Sequence, residues 1–336
     1  MNKKSDIIED GKPRMGLWYG DIRNVDPRAY HKNSLHKLIQ PLREKRWQFV
    51  GVYTSDIILG MAIVHAGYIG NVFCYLFDRK RKSLWEVSRL APLGAGIRID
   101  RNVYRGVTSY HADHERVRFD SRIPEGVRTI DVRLKDKNQD LDVRLEVSDD
   151  MQLHPPLQIV TPTSGDDFTF THKVNSLPVS GFVRLGDRRW SLQDARCAID
   201  FSVGYPARET FWNWVSLCGK TNDGTDIGIN GVAPIFHKEY NENILWLAEK
   251  PFKLSELIFD YNQENPMDPW KIYTEDRTLS LTFTPEGIRK ESLNYRLVTS
   301  SFQQPFGAFE GSFTEPSGRI HELYAAGVVE EHFARW

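Results

Sequence analysis

The chain has 336 residues, enough for two domains with real cores or for one large all-β domain. Its 44 basic and 45 acidic residues leave a net charge of −1, which gives no electrostatic footing for nucleic acid or for an anionic membrane surface. Three cysteines, Cys74, Cys197 and Cys218, sit in apolar segments without Cys-x-x-Cys spacing, the pattern of reduced, buried thiols in a cytoplasmic protein.

Residues 1–12 are polar and charged, read as a flexible tail without the apolar core of a leader peptide. No later run of about 18 apolar residues predicts a membrane span, so a soluble, unexported protein is expected. Pro27 to Ile39 is the best helix candidate, with Asp26 as N-cap ahead of Pro27 and Pro41 as the stop. Arg46 to Tyr53, Ile57 to Val64 and Tyr68 to Phe77 are apolar runs split by short polar turns, which predicts three strands of a meander. Gly94-Ala-Gly96 lacks a third glycine and a βαβ context, so it predicts a loop and no nucleotide cradle. His111-Ala-Asp-His114-Glu115 has metal-like residue types without His-Glu-x-x-His order, and no metal site is expected there.

Strict alternation follows. Ile130, Val132 and Leu134 interleave with charged residues, as do Leu141, Val143, Leu145 and Val147, with Asp136 to Asp140 between them as a hairpin turn. One wetted face and one buried face is the pattern of antiparallel sheet. Met151 to Pro162 is a proline-rich break, after which Phe168 to Phe170, Val179 to Leu185 and Trp190 to Phe201 read as strands. Two sheets of similar size would meet near residue 195, give or take about 15 residues. The expected division is therefore a tail at 1–12, an N-terminal β domain at 13–195 and a C-terminal β domain at 196–336.

The second half repeats this grammar. Phe211 to Cys218 and Asp226 to Asn230 flank Asn222-Asp223-Gly224, whose Asp-Gly is a strong hairpin signal. Leu279 to Phe283 and Ile288 to Leu297, around Pro285-Glu-Gly287, predict another hairpin, and Phe306 to Thr314 with Ile320 to Val329 predict the last, around Pro316-Ser-Gly318.

The stretch Asp200 to Gly224 carries most of the functional information. Trp212 and Trp214 at i and i+2 share one face of a strand, making a broad apolar wall with indole N–H donors at its rim, while Asn213 faces the other way. Asp200 has two readings: a desolvated carboxyl acting as general acid, or an ionised group paired with Arg208 or capping a turn. Trp212 and Trp214 are equally readable as core. Glu242 and Asn243 precede the apolar Ile244 to Leu247 and read as a strand-entry cap or as polar ligand contacts at a barrel mouth. Arg43, Lys45 and Arg46 before Trp47 read as a solvated strand end or as an anchor for a ligand anion. Glu330 and Glu331 would point to opposite faces, a poor catalytic pair, leaving Glu331 beside His332 as the candidate there.

The landmarks Arg43-Glu-Lys-Arg-Trp47, Tyr75-x-x-Asp78, Asp200, Arg208 to Trp214, Asp223-Gly224, Glu242-Asn243, Asp268-Pro-Trp270 and Gly327-x-x-Glu-Glu-His-x-x-Arg-Trp336 span almost the whole chain. In order and spacing they resemble the bacterial family known as domain of unknown function 2804. More distantly, Ala198-Ile-Asp200-Phe201-Ser-Val-Gly204, Phe211-Trp-Asn-Trp214 and Asp223-Gly224 resemble the central block of carotenoid 1,2-hydratase and AttH-type proteins. That resemblance implies an all-β chain of two lipocalin-like antiparallel barrel or sandwich halves with few short helices. Phe201 stands where those proteins have His, and Asn213 where they have Asp. Two titratable groups are thus replaced, which separates the resemblance from a hydratase mechanism needing both an acid and a base.

Three functions follow. The first is binding of a hydrophobic small molecule, a lipid, isoprenoid or polyketide-like compound, in a barrel or between the halves, with Trp47, Arg208, Trp212, Asn213, Trp214, Glu242, Asn243, Glu331 and His332 as contacts. The second is a hydratase, cyclase or isomerase on such a molecule, without cofactor or metal and with Asp200 as general acid. The third is glycan binding or processing by stacking on Trp rings. Ligand identity and oligomeric state stay open.

Overall fold

The computed structural model describes residues 6–18, 22, 24–30, 33–235, 237–295 and 298–335. Strands dominate, paired antiparallel in two large barrel-like sheets, one nearly closed and the other a half-barrel. The first sheet runs in the order Ser83–Pro92, Ile69–Asp78, Ile57–His65, Lys45–Tyr53, Arg196–Gly204, Phe168–Leu185, Asp140–Ser148, Val127–Lys135, Glu115–Arg122, Val107–Ala112 and Ile97–Ile99. It curls until Ile97–Ile99 and Val107–Ala112 come against Ile57–His65. The second sheet runs Lys250–Lys253, Ile244–Leu247, Asp226–Ala233, Glu209–Thr221, Ile320–Arg335, Val298–Thr314, Leu279–Tyr295, Trp270–Thr274 and Leu257–Asp260. The chain crosses from one sheet to the other at 205–208, so Arg196–Gly204 belongs with the first.

Period-2 alternation explains the three layers of apolar packing. Val50, Val52, Ile199, Phe201 and Val203 point into the first sheet's interior, and Val215, Leu217 and Val329 into the second's. Phe49, Tyr53, Tyr75, Phe77, Trp214, Phe306 and Val328 leave the opposite faces of the same strands and form a third cluster where the sheets meet. All three cysteines are buried thiols. No helix among the described residues is long and apolar enough to cross a membrane.

Local chemistry corrects several expected elements. Asp26 caps a 3-10 turn, Pro27–Ala29, and a separate helix, Ser34–Arg43, starts from its own N-cap Asn33; residues 31 and 32 of the expected single helix lie outside the described residues. Pro41 sits inside this helix and does not stop it. Its ring lies in the last turns, and the backbone N–H of Glu44 still reaches Gln40. Pro285-Glu-Gly287 is not a turn: Leu279–Tyr295 is one continuous strand whose register slips between Pro285 and Gly287, the proline being absorbed by a bulge. Leu297 at its far end lies outside the described residues, as does Trp336. Likewise Phe168–Leu185 is a single strand with an irregularity between Val174 and Leu177, which lets its first half pair with Arg196–Gly204 and its second with Asp140–Ser148. The Asp223-Gly224 hairpin forms as its sequence predicts, with Gly224 at φ +85°, in the left-handed region that favours glycine.

Candidate functional site

Five strands bring their outer faces together where the sheets meet. On the first sheet, Lys173 lies directly opposite Asp200, and Asp200 opposite Phe49. On the second, Trp214 is paired with Glu330, and Trp212 with His332. The Phe49 ring meets Trp214 edge to face at 5.4 Å between centroids, and Lys173 Nζ lies 5.6 Å from the same indole. The aromatic wall therefore forms, packed face-on against the first sheet.

Asp200 is buried, and its cation is Lys173, with Nζ 3.4 Å from the carboxyl; the Ser202 hydroxyl lies 3.4 Å away. This corrects the expected pairing with Arg208, which is exposed at the entry to Glu209–Thr221. Lys173, itself buried, also holds Glu242 at 2.9 Å. Burial pushes the Asp200 carboxyl upward, Lys173 opposes this, and the charge of Glu242 adds to the rise. For Lys173 burial works to lower the ammonium, but its two carboxylates outweigh that and raise it.

Glu330 is the group that sequence reasoning missed. Its buried carboxyl accepts from Trp212 Nε1 at 2.8 Å and from Gln304 Nε2 at 2.9 Å. Burial raises it to about 7, the two hydrogen bonds restrain the rise, and the charge of Asp200 adds to it. His332 is 3.7 Å from Glu330. The imidazole is pushed down to about 3 by burial and by the charge of Arg289, so it is neutral at neutral pH and cannot compensate Glu330 as a cation. It packs edge-on against Trp212 at 4.4 Å, and its Nε2 lies 2.9 Å from the Ser300 hydroxyl. Positions i and i+2 share a face of a strand, so His332 lies with Glu330, and Glu331 faces the other way.

The other expected contacts divide. Trp47 lies on the outer face that carries Phe49, half-buried and opposite Ser202. Asn213 and Glu331 face the other way, as paired residues on the inner side of the second sheet. There Asn213 donates to the Tyr261 hydroxyl at 3.0 Å, and that hydroxyl donates to Glu331. Asn243 is a buried loop clamp, accepting from the Val232 N–H at 2.7 Å and donating to the Ser255 carbonyl at 3.2 Å. Structure thus brings together Asp200, Trp212, Trp214, Glu242 and His332, adds Lys173, Glu330 and Gln304, and separates Arg208, Asn213, Asn243 and Glu331 from them. Glu115 of the His111 to Glu115 stretch is engaged by Arg89 through two hydrogen bonds.

The barrel-like sheets and the acid-bearing junction between them define an all-β chain of two lipocalin-like halves. The chain belongs to the family described as domain of unknown function DUF2804, whose model matches residues 3–336. No curated protein matches it in sequence. Among solved structures it is similar in fold to one ascribed to AttH from Nitrosomonas europaea, with 13% identity, TM-score 0.51, and coverage of 87% of this chain and 93% of that one. Kievitone hydratase from Nectria haematococca is similar at 11% identity and TM-score 0.52, covering 85% and 88%. A protein called CghA is similar at 11% identity and TM-score 0.56, covering 96% and 98%.

Proposed function

We propose that the junction of the two sheets receives an apolar small molecule and exchanges a proton with it, Glu330 acting as acid and Asp200 as its basic partner. The observation that carries this reading is a carboxyl buried among Trp212, Gln304 and His332 with no Lys or Arg at salt-bridge distance among the described residues, beside a second carboxyl paired with Lys173. A group that titrates near neutrality can both give and take a proton at working pH. Aromatic walls favour an apolar guest and stabilise positive charge developing on it. Cofactor-free proton transfer of this kind serves hydration, cyclisation or isomerisation, and a solved structure of similar fold is titled a hydratase.

Other locations suit such a guest less well. A cavity of about 10 Å³ in the first sheet, beside Gln48, Ser121, Arg128 and Phe201, has room for roughly one water. A groove of about 560 Å³ at the rim is lined by Arg89, Tyr110, Asp113, His114, Glu115 and Lys135, charged groups that an apolar molecule would desolvate. Glycan stacking calls for open rings, whereas Trp214 is 6% exposed.

The test begins with native mass spectrometry of protein purified from its own host, to identify a co-purified apolar molecule. That molecule is then incubated in D₂O with the natural chain and with Glu330→Gln. The natural chain should incorporate deuterium into the molecule, and the variant should bind it with at least tenfold slower incorporation. Equal incorporation by both, or no apolar molecule bound, overturns the reading.

A further inference from the structure

Among the buried polar atoms of this junction that lack a hydrogen-bond partner among the described residues are the hydroxyl of Tyr75 and the amide oxygen of Gln304. Gln304 spends its amide N–H on Glu330 at 2.9 Å, which leaves the acceptor oxygen over. The Tyr75 ring is fixed by stacking on Phe306, with centroids 5.4 Å apart, and its hydroxyl lies over Gly60, within 2.5 Å of where a Cβ would stand. Burial holds that phenol well above its ordinary range, so it remains a donor throughout the working pH range, and the charge of Glu330 contributes to the rise. An orphaned buried donor or acceptor costs stability, so a pair of them beside one acid calls for an explanation.

Strand order shows what they face. Ala62 lies between Phe49 and Phe73 across the first sheet. Glu330 and Gln304 lie between Trp214 and Arg289 across the second. Phe49 packs on Trp214, and the Arg289 guanidinium sits 4.0 Å over Phe73. Ala62 thus lies on the face of the first sheet turned toward the second, and the Tyr75 ring covers Gly60, two residues before it.

We propose that Tyr75 and Gln304 form a hydroxyl-binding subsite next to Glu330, so that the molecule taken at the junction is an apolar alcohol or phenol rather than a hydrocarbon. The assignment rests on the proposed function of the junction and narrows its substrate. A hydroxyl on an apolar guest can satisfy both atoms at once, donating its proton to Gln304 Oε1 while accepting from the Tyr75 O–H. A carbonyl would serve Tyr75 but leave Gln304 unpaired.

Matched probes test this: 2-naphthol with naphthalene, farnesol with farnesene, and 1-dodecanol with dodecane, titrated against the tryptophan fluorescence of the full chain and of Tyr75→Phe. The ring and its stacking on Phe306 are kept in the variant, and circular dichroism checks that it folds. The natural chain should bind the alcohol of at least one pair about tenfold more tightly than its hydrocarbon, and Tyr75→Phe should abolish that preference while leaving hydrocarbon affinity unchanged. Hydrocarbons bound as tightly as alcohols, or a preference that survives in Tyr75→Phe, overturns the subsite and leaves the junction's reading intact; binding of none of the six overturns both.

Discussion

His172 and Lys173 are neighbours in the chain, yet their side chains leave opposite faces of Phe168–Leu185 and enter two buried polar clusters of different kinds. Inside the first sheet, Arg128 is held by Asp149, bonds the Ser121 hydroxyl at 2.6 Å, and lies 3.1 Å from His172, whose imidazole burial keeps well below its usual range. One cation meets one carboxylate there, and the histidine stays neutral. Outside, Lys173 pairs with Asp200 and Glu242, while Glu330 has no Lys or Arg at salt-bridge distance among the described residues and feels Lys173 only from farther off. Among the described residues acids outnumber bases in the outer cluster, and burial lifts its Glu330 carboxyl toward neutrality. On the proposed reading, the contrast separates a polar group that fixes a fold from one that serves chemistry at a cost in stability.

The largest effect should come from the inner cluster. Arg128→Met strands Asp149 in the interior and is expected to cost about 3–5 kcal/mol in denaturant unfolding, as for any buried pair broken from one side. A cost below 1 kcal/mol would mean that the inner cluster is no more committed to the fold than the outer.

Glu330→Gln should do the opposite. Glu330 rises from 4.5 to about 7 on folding, so its contribution to stability is complete below the unfolded value of 4.5 and is lost as pH climbs through 7. The uncharged variant escapes that loss, and at pH 8 it should unfold with up to about 3 kcal/mol more stability than the natural chain, the difference vanishing by pH 4. His332 acts in the other direction: pushed down on folding, it costs stability as pH falls below its unfolded value of 6.5. Equal pH profiles for both proteins above pH 6 would erase the contrast between the clusters.

Trp212→Phe is the smallest perturbation. It keeps an aromatic ring beside His332 but removes the indole donor at 2.8 Å that favours the ionised form of Glu330. The apparent titration of Glu330 should move further up by about one unit, with stability at pH 5 changed by less than about 1 kcal/mol.

Much of this arrangement was legible in the chain. Alternation in Ile130 to Val147 and the Asp223-Gly224 turn marked antiparallel hairpins, and Trp212, Asn213 and Trp214 divided between faces as period 2 requires. What failed was whatever depended on partners distant in sequence. Pro285 and Gly287 read as a turn because local chemistry cannot tell a turn from a bulge in a strand paired along its whole length. Lys173 carried no local signal, since it is 27 positions from the Asp200 it pairs with across the sheet. Glu330 was half visible: its face could be read, but Trp214 as its cross-strand neighbour follows only from the register of Glu209–Thr221 against Ile320–Arg335.

The most direct measurement is a carbon-13 titration of glutamate side-chain carboxyls by NMR, comparing the natural chain with Glu330→Gln. One carboxyl should titrate near pH 7 in the natural chain and be absent from the variant. If every glutamate resonance titrates below about pH 5.5, Glu330 is an ordinary carboxylate and the junction holds no acid poised for proton transfer.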